Sequence, residues 1–310
     1  DDPVSNLERR PAVLTRSAAD SDGHEGADLD AVELVHPREV PLGGPRAMTV
    51  RRTLPSRARS LIGAWCFVDH YGPDPVAESG GMSVAPHPHI GLQTVSWLFT
   101  GEITHRDSAG HHAAVRPGEL NLMTAGHGIS HSEVSTPETT VLHGAQLWVA
   151  LPEEARDGAP GFVHHVPERV VGEGLEARVF LGSLLGDTSP VPTATPLLGA
   201  ELLLEAGATV RLAVDPDFEH GVLVDSGDVA VDGTPTASQD LAYVPPGRRE
   251  LELSADESPV RLLLLGGPPF GEPIVMWWNF VGRTHDEVVT ARDDWQAQIT
   301  GPEPAALADA

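Results

Sequence analysis

The sequence contains no lysine and only one cysteine, and each shortage excludes a class of chemistry. All 20 basic residues of the 310-residue chain are arginines. Schiff bases and Walker-type phosphate loops need a lysine amine and are therefore excluded. The single thiol of Cys66 cannot form a disulfide within the chain, which fits a reducing compartment. Apolar runs are far shorter than the roughly 20 residues that span a bilayer, so we expect a cytoplasmic protein without membrane contact.

Acidic side chains outnumber basic ones by 45 to 20, which gives a formal net charge of −25. Proteins bind nucleic acids largely through cationic groups that displace counterions from phosphates, so direct binding to DNA or RNA is not expected. Anionic membranes are disfavoured for the same reason. If the chain has protein partners, its charge favours basic ones.

From about residue 46 the sequence shows short β-type runs separated by glycine and proline, which is typical of antiparallel sandwiches and barrels. Asp232-Gly233 after a β-branched run predicts a tight hairpin, because both positions tolerate positive φ. A weak similarity between residues 116–126 and 239–247 indicates two related β-domains in tandem. Thr284, followed three residues later by Glu287, forms a capping box and predicts a helix near the carboxyl terminus. The expected fold class is all-β with a short C-terminal helix.

Changes in composition predict the domain boundaries. The polar, breaker-rich stretch from residue 152 to 160 marks the change between domains. The first 45 residues show no sustained periodicity. We expect a flexible N-terminal arm at residues 1–45, a first β-domain at 46–152, a connection at 153–175, a second β-domain with the terminal helix at 176–298, and a loose tail at 299–310.

Nine of the 15 histidines lie in the first β-domain, and eight of these crowd into residues 87–143. They are His87, His89, His105, His111, His112, His127, His131 and His143. In an extended strand, residues two apart point to the same face. His87 and His89 can therefore aim two imidazoles inward, and His131 and Glu133 repeat the spacing with an imidazole and a carboxylate. If the two strands adjoin, four ligands converge.

Three neutral nitrogens and one carboxylate oxygen suit a divalent first-row metal, and Fe(II), Mn, Co, Ni, Cu and Zn are all chemically acceptable. A lone His-x-His in a strand is more often a packing or surface feature than a metal site. The second matched pair, His131 and Glu133, reverses that balance, because random placement rarely produces two such pairs. A cluster inside a barrel can leave coordination positions open, so we expect a reactive site rather than a closed structural one.

Other polar residues near these pairs are harder to assign. His105 and Asp107 are also two apart, and they can either orient the ligands from behind or line a wet rim. His111 and His112 lie beside Gly110, where a solvated turn is the simpler interpretation.

Several segments of the chain carry a specific pattern. They are residues 67–73 (FVDHYGP), 87–95 (HPHIGLQTV), 105–110 (HRDSAG), 117–126 (PGELNLMTAG), 128–133 (GISHSE), 147–149 (LWV) and 271–276 (GEPIVM). Together they resemble the pirin family of bicupin proteins over about residues 46–298. The resemblance implies two tandem cupin barrels, each a double-stranded β-helix or jelly roll, with the metal held in the N-terminal barrel only.

The family's ligand pattern falls on His87, His89, His131 and Glu133, the four residues that strand spacing also selects. Family members hold iron or another divalent metal, so the resemblance implies one divalent ion, with Fe(II) favoured. Several bacterial relatives open a flavonol ring with dioxygen as quercetin 2,3-dioxygenases. The expected function is a metal-dependent dioxygenase for a flavonol-like substrate, in which the substrate's enol binds the metal and Glu133 accepts the hydroxyl proton.

Two alternatives remain open. Animal relatives resemble nuclear coregulators that bind transcription factors, so the chain can instead be a non-catalytic regulatory module whose protein partners respond to the redox state of the metal. Another metal-dependent reaction of a small molecule, such as a different oxygenation or an isomerisation, is the enzymatic alternative.

The chain departs from the family pattern at two positions. His127 stands between Gly126 and Gly128, where the family commonly has arginine, so substrate preference can differ; His127 joins His105 and Asp107 as a candidate for the surroundings of the ligands. Gln93 stands where the general cupin motif has a ligand glutamate, but the pirin pattern does not use that position. The second domain has no His-x-His, so we expect no metal there.

Overall fold

The computed structural model describes residues 13–14, 31–42 and 48–300, which form mainly antiparallel strands. The strands of the first half are β1 (Val13–Leu14), β2 (Glu33–Val35), β3 (Arg38–Pro41), β4 (Thr49–Leu54), β5 (Trp65–Pro75), β6 (Ser83–His89), β7 (Leu92–Thr100), β8 (Ile103–Asp107), β9 (His112–Val115), β10 (Leu120–Thr124), β11 (Ile129–Ser135), β12 (Val141–Ala150) and β13 (Gly161–His165). Those of the second half are β14 (Arg169–Gly172), β15 (Leu175–Leu181), β16 (Ser183–Leu184), β17 (Asp187–Thr188), β18 (Leu198–Leu204), β19 (Thr209–Ala213), β20 (Glu219–Ser226), β21 (Val229–Val231), β22 (Thr234–Thr236), β23 (Leu241–Val244), β24 (Glu250–Ala255), β25 (Val260–Gly267), β26 (Ile274–Trp277) and β27 (Phe280–Gly282). Helix α1 spans Val76–Ser79 and helix α2 spans His285–Thr300. Within these described ranges, no helix has both the length and the apolar character needed to cross a membrane.

The chain builds two barrels, each from a seven-stranded and a four-stranded sheet, and β2 of the first half joins the second barrel. The first barrel has the orders β13-β10-β7-β12-β5-β4-β3 and β6-β11-β8-β9. The second has β14-β15-β18-β25-β20-β23-β2 and β19-β24-β21-β22. When the second seven-stranded order is reversed, its strands correspond one to one with those of the first. The prediction of an all-β fold with two related β-domains and a short C-terminal helix is therefore confirmed.

The two seven-stranded sheets pack against each other through alternate residues of their strands. On β7, Val95 and Trp97 belong to the apolar core shared by the barrels, whereas Ser96 between them faces the interior of the first barrel. The ring of Trp97 stacks on Phe180 of the second barrel with 4.5 Å between centroids. The barrels thus share one continuous core.

Two local predictions are confirmed. Asp232 and Gly233 connect β21 to β22 with φ values of 46° and 79°, the positive angles expected of this hairpin. At the start of α2, Glu287 N–H donates to Thr284 Oγ1 at 3.3 Å and Thr284 N–H donates to Glu287 Oε2 at 3.4 Å, which is the reciprocal capping box.

The prediction of a flexible arm is wrong for residues 33–41. Strand β2 pairs with β23 of the second barrel, and β3 pairs with β4 of the first. The connection also contains strands, since β13 pairs with β10 and β14 pairs with β15. Each of these short segments satisfies the backbone of an exposed sheet edge. Most of residues 1–30 lie outside the described residues.

Strand β27 and helix α2, which follow the second barrel in sequence, contact the first barrel. Val281 N–H donates to Ile90 O at 3.1 Å, and Arg156 lies 3.1 Å from Glu287 at the start of α2. Gly91 adopts φ +67°, and a Cβ atom there would lie 2.0 Å from Val281 O, so only glycine allows this approach. Helix α2 reaches Thr300, and residues 301–310, most of the predicted tail, lie outside the described residues.

Candidate metal centre

The strands that carry the two predicted ligand pairs are neighbours. Strand β11 pairs with β6 so that His131 lies opposite His87 and Ile129 lies opposite His89. One ring nitrogen from each of His87, His89 and His131 lies within 4.8 Å of the others. The Nε2 atoms of His89 and His131 are 3.1 Å apart. The structure therefore brings the three predicted histidine ligands together.

Backbone carbonyl groups determine the tautomers of His87 and His89. Nδ1 of His87 lies 2.9 Å from Ala85 O, and Nδ1 of His89 lies 2.9 Å from Asn279 O. A carbonyl oxygen only accepts, so each Nδ1 must carry the proton and donate it. In a neutral imidazole the other nitrogen then has a lone pair. Both Nε2 atoms are therefore free to bind a cation.

His131 has the same tautomer, with the proton on Nδ1, but side chains and not backbone carbonyls determine it. Nε2 of His105 lies 3.1 Å from Asp107 Oδ2, and because an ionised carboxylate only accepts, this nitrogen carries the proton. Nδ1 of His105 then has the lone pair, and it accepts from Nδ1–H of His131 at 3.3 Å. Nε2 of His131 is left unprotonated and faces His89. Asp107, His105 and His131 form a hydrogen-bonded chain of the kind that orients metal ligands.

Asp107 is itself held in place by the turn that follows β8. Its Oδ1 accepts from the backbone N–H groups of Ala109 and His111 at 3.0 Å each. Burial opposes ionisation of this carboxyl, but the hydrogen bonds from His105 and His111 lower its pKa below the usual value. Asp107 is therefore ionised and can anchor the chain to His131.

Burial keeps the three histidines neutral. It lowers the pKa of His87 to about 4 and the pKa values of His89 and His131 well below their ordinary range, and the neighbouring imidazoles add to the effect. Two lone pairs that face each other at 3.1 Å repel unless a proton or a cation lies between them. Because protonation is disfavoured, the donor set fits a divalent metal ion. Only His87 is partly exposed, so the cluster reaches solvent on its side.

Glu133 belongs to a second group that shares His131. A carboxylate oxygen of Glu133 and one ring nitrogen each of His105 and His131 lie within 4.8 Å of one another. The register of β11 against β6 shifts between His131 and Glu133, which places Glu133 opposite Val84. This bulge explains why the four predicted ligands are divided between two groups.

Hydrogen bonds inside the first barrel hold the Glu133 carboxylate. Ser96 Oγ donates to Glu133 Oε1 at 3.1 Å and also lies 3.0 Å from Gln146 Oε1. Burial raises the pKa of Glu133, while His105 and the hydrogen bonds from Ser96 and Gln146 act in the opposite direction. A cation beside this buried carboxylate would favour its ionised form.

His127 does not lie in either group. Its side chain is exposed and lines an open cleft of about 790 Å³ between the first barrel and α2. Ile90, Asp294 and Trp295 are among the other residues of this cleft. The structure places His105 and Asp107 in the hydrogen-bonded chain to His131, whereas His127 lines the cleft together with His89.

The sequence did not indicate the partner of His89. Asn279 contributes only its backbone oxygen and follows His89 by 190 residues. Any residue can supply a carbonyl group, so no side-chain pattern marks such a position. A third group, His70, His143 and Asp225, lies between the barrels and was also not predicted.

Comparison with known proteins places the chain in a family. The Pirin model matches residues 47–149, and the model of the pirin C-terminal cupin domain matches residues 199–301. A Pseudomonas aeruginosa protein provisionally named quercetin 2,3-dioxygenase is 45% identical over 94% of this chain and 91% of its own length. A pirin-like protein of Caulobacter vibrioides is 40% identical over 80% of this chain and 88% of its own length.

A solved structure shows the same architecture. The crystal structure of quercetin 2,3-dioxygenase from Acinetobacter baumannii superposes with a TM-score of 0.81 at 41% identity, covering 86% of this chain and 88% of that chain. The two barrels are therefore cupin domains, as the resemblance implied. The chain belongs to the pirin family.

Proposed function

We propose that the protein is a metal-dependent dioxygenase of the quercetin 2,3-dioxygenase type. The observation that carries the proposal is the convergence of ring nitrogens of His87, His89 and His131 in the first barrel, with the Nε2 atoms of His89 and His131 3.1 Å apart. Relatives that match most of the chain carry the name quercetin 2,3-dioxygenase. A flavonol-like substrate and dioxygen are the corresponding reactants.

In this proposal His87, His89, His131 and Glu133 hold one divalent metal, with Fe(II) as the first candidate. Three neutral nitrogens and one carboxylate suit such an ion. A metal held there would supply Lewis-acid and redox chemistry. Asp107 and His105 would keep His131 in the tautomer that binds, and Asn279 would do the same for His89.

Glu133 is the proposed proton acceptor for the substrate hydroxyl group. Burial raises the pKa of its carboxyl, which makes the carboxylate a stronger base than one in water. A nearby cation acts in the opposite direction, so Glu133 works best as a base when it is only loosely coordinated. Ser96 holds Oε1 at 3.1 Å and limits how far the carboxylate can turn.

Aromatic rings form one wall beside the cluster. Trp148 meets His89 edge to face, with 5.1 Å between centroids, and stacks on Phe67 at 4.0 Å. These rings are fixed by each other, so the imidazole of His89 is packed in one orientation. The side of the cluster open to solvent is that of His87, and a flat phenolic substrate would approach there.

Elemental analysis of protein purified without added metal, followed by oxygen uptake with a flavonol, tests the proposal. We expect a stoichiometric divalent metal, consumption of oxygen and loss of the flavonol absorbance. His89→Ala should abolish all three, whereas His112→Ala, which changes an exposed histidine of the same barrel, should not. Full activity of His89→Ala would refute the site. Bound metal without turnover, together with partner capture that depends on oxidation state, would favour the regulatory alternative.

A further inference from the structure

A buried group of ionisable residues that is separate from the proposed metal centre joins the two barrels. His70 on β5 and His143 on β12 come from the first barrel, and Asp225 on β20 comes from the second. Nε2 of His70 lies 2.7 Å from Asp225 Oδ1, and Nε2 of His143 lies 2.5 Å from the same oxygen. All three side chains are buried. A single carboxylate oxygen of the second barrel thus contacts two imidazole rings of the first barrel.

Arg51 determines the tautomer of His70. Its Nε and Nη2 atoms lie 3.3 Å and 3.2 Å from Nδ1 of His70, and Nη2 also donates to Gly72 O. A guanidinium group only donates hydrogen bonds, so Nδ1 of His70 must accept and has no proton. A neutral His70 therefore carries its proton on Nε2 and donates it to Asp225. Both ring nitrogens of His70 therefore have hydrogen-bond partners while the ring is neutral.

The same contacts argue against a metal ion in this group. A cation bound to Nε2 of His70 would need a lone pair there, while Arg51 already requires one on Nδ1, so the ring would have to lose both protons. Arg261 adds a second positive charge, since its Nη1 lies 3.6 Å from Asp225 Oδ2. Two histidines and one aspartate at hydrogen-bond distances form a hydrogen-bonded contact here, not a ligand set.

We propose that Arg51, His70, His143 and Asp225 form a pH-sensitive catch that holds the second barrel against the first while His70 is neutral. Protonation of His70 would place an N–H on Nδ1 directly against the guanidinium of Arg51. The hydrogen bond would be lost, and two cations would face each other in a buried site. Acid therefore weakens the contact between the barrels.

Burial lowers the pKa of Arg51, but the acidic groups around it raise that pKa and so favour the positive charge that faces His70. Arg51 on β4 is faced by Asp74 on β5 and Glu39 on β3. On the second barrel, Arg261 on β25 lies 3.3 Å from Glu201 on β18 and 3.6 Å from Asp225.

Burial is the main cause of the lowered pKa of His70. The hydrogen bond from His70 to Asp225 opposes burial, and the positive charge of Arg51 reinforces it. The ordinary histidine pKa is about 6.5, so separated or unfolded barrels take up a proton that the joined barrels do not.

The second barrel, in which we expect no metal, would then have a structural role through the catch. Its Asp225 reaches β5 and β12 of the first barrel. These strands carry Tyr71 and Gln146 toward the barrel interior, and Gln146 contacts the Ser96 hydroxyl that holds Glu133. The inference rests on the interdomain geometry and not on the proposed dioxygenase activity.

NMR of the histidine ring nitrogens in the full-length protein tests the tautomer directly. The signals of His70 are assigned by their absence from His70→Gln. We expect the proton of His70 on Nε2, with Nδ1 unprotonated, and no protonation of the ring at pH values well below about 6.5, the ordinary histidine value. An ordinary titration curve, or a proton on Nδ1, would overturn the proposal.

Urea unfolding at several pH values provides a second test. Each proton taken up on unfolding changes the unfolding equilibrium constant about tenfold per pH unit. His70→Gln keeps a donor for Asp225 and an acceptor for Arg51 but cannot titrate, so below about pH 6.5 its stability should fall less steeply with acid. The matched control His112→Gln should retain the wild-type slope. Equal slopes for His70→Gln and wild type would contradict the catch.

A metal titration distinguishes the catch from a second metal site formed by His70, His143 and Asp225. In a variant that lacks His87, His89 and His131, we expect no zinc binding that depends on His70 or His143. Zinc bound by the His70 group in that variant would show that it is a second metal site and would overturn the catch.

Discussion

Nδ1 of His131 lies 3.3 Å from Nδ1 of His105, and this contact determines which nitrogen of His131 faces the other two histidines. Because His105 gives its own proton to Asp107 at 3.1 Å, only His131 can donate between them. The Nε2 lone pair of His131 is thereby directed toward His89. The metal centre proposed above depends on this contact as much as on the ligands themselves.

His105→Ala should weaken metal binding without removing a proposed ligand. Loss of such a supporting hydrogen bond typically costs about 10–100-fold in metal affinity, because the ligand ring is no longer held in one tautomer and orientation. A titration against a competing chromophoric chelator measures the effect. His112→Ala, on the exposed side of β9, is the control and should bind metal as wild type does. Unchanged affinity of His105→Ala would show that Asp107 and His105 are not part of the centre.

Glu133→Gln should separate binding from chemistry. The amide keeps the size of the side chain and can still contact Ser96, but it cannot accept a proton. General-base residues contribute about 10²–10⁴-fold to rate, so we expect kcat for flavonol turnover to fall by that order even where metal is still bound. Glu138→Gln, at an exposed position after β11, should be neutral. Undiminished kcat per bound metal in Glu133→Gln would exclude Glu133 as the base.

The features that could be predicted from the sequence are those that depend only on residues close together in the chain. The His-x-His and His-x-Glu spacing and the Asp232-Gly233 hairpin follow from strand geometry over a few residues. The carbonyl of Asn279 and the carboxylate of Asp225 could not be predicted, because long-range pairing brings them to their partners and neither position has a distinctive local pattern. The bulge beside Glu133 is hidden for the same reason, since it exists only in the pairing of β11 with β6.

Gly91→Ala should weaken metal binding indirectly, by displacing the segment that orients His89. A Cβ atom at this position would lie 2.0 Å from Val281 O, so β27 must move away. The neighbouring Asn279 carbonyl, which accepts from His89 at 2.9 Å, would move with it. We expect lower stability and lower metal affinity. Gly80→Ala has similar backbone strain at φ +79° but no atom within 4 Å, so it should affect stability slightly and metal affinity not at all.

Equal metal affinity in Gly91→Ala and Gly80→Ala would show that the C-terminal segment does not orient His89. A loss confined to Gly91→Ala would assign that role to the contact with β27.

Metal binding should release few protons at mildly acidic pH. Burial lowers the pKa of His87 to about 4 and holds the pKa values of His89 and His131 well below the ordinary range. These nitrogens are therefore already unprotonated near pH 6, where ordinary histidines, with a pKa of about 6.5, are largely protonated. Calorimetry in buffers of different ionisation enthalpy counts the protons released. Only Glu133, whose pKa burial raises, can contribute one; release of two or more protons would contradict the buried, neutral cluster.

Phe180→Ala should destabilise both barrels together. The ring of Phe180 is fully buried, stacks on Trp97 of the other barrel and occupies the space left by Gly199, where a Cβ atom would lie 2.2 Å from the ring. Removal of a buried phenylalanine costs about 3–5 kcal/mol, whereas Val171→Ala, at an exposed position, should stay within about 0.5 kcal/mol. Urea unfolding followed by tryptophan fluorescence and by circular dichroism measures both. Because the barrels share one core, the two signals should change in a single transition for wild type, and separate transitions would show that each barrel is stable without the other.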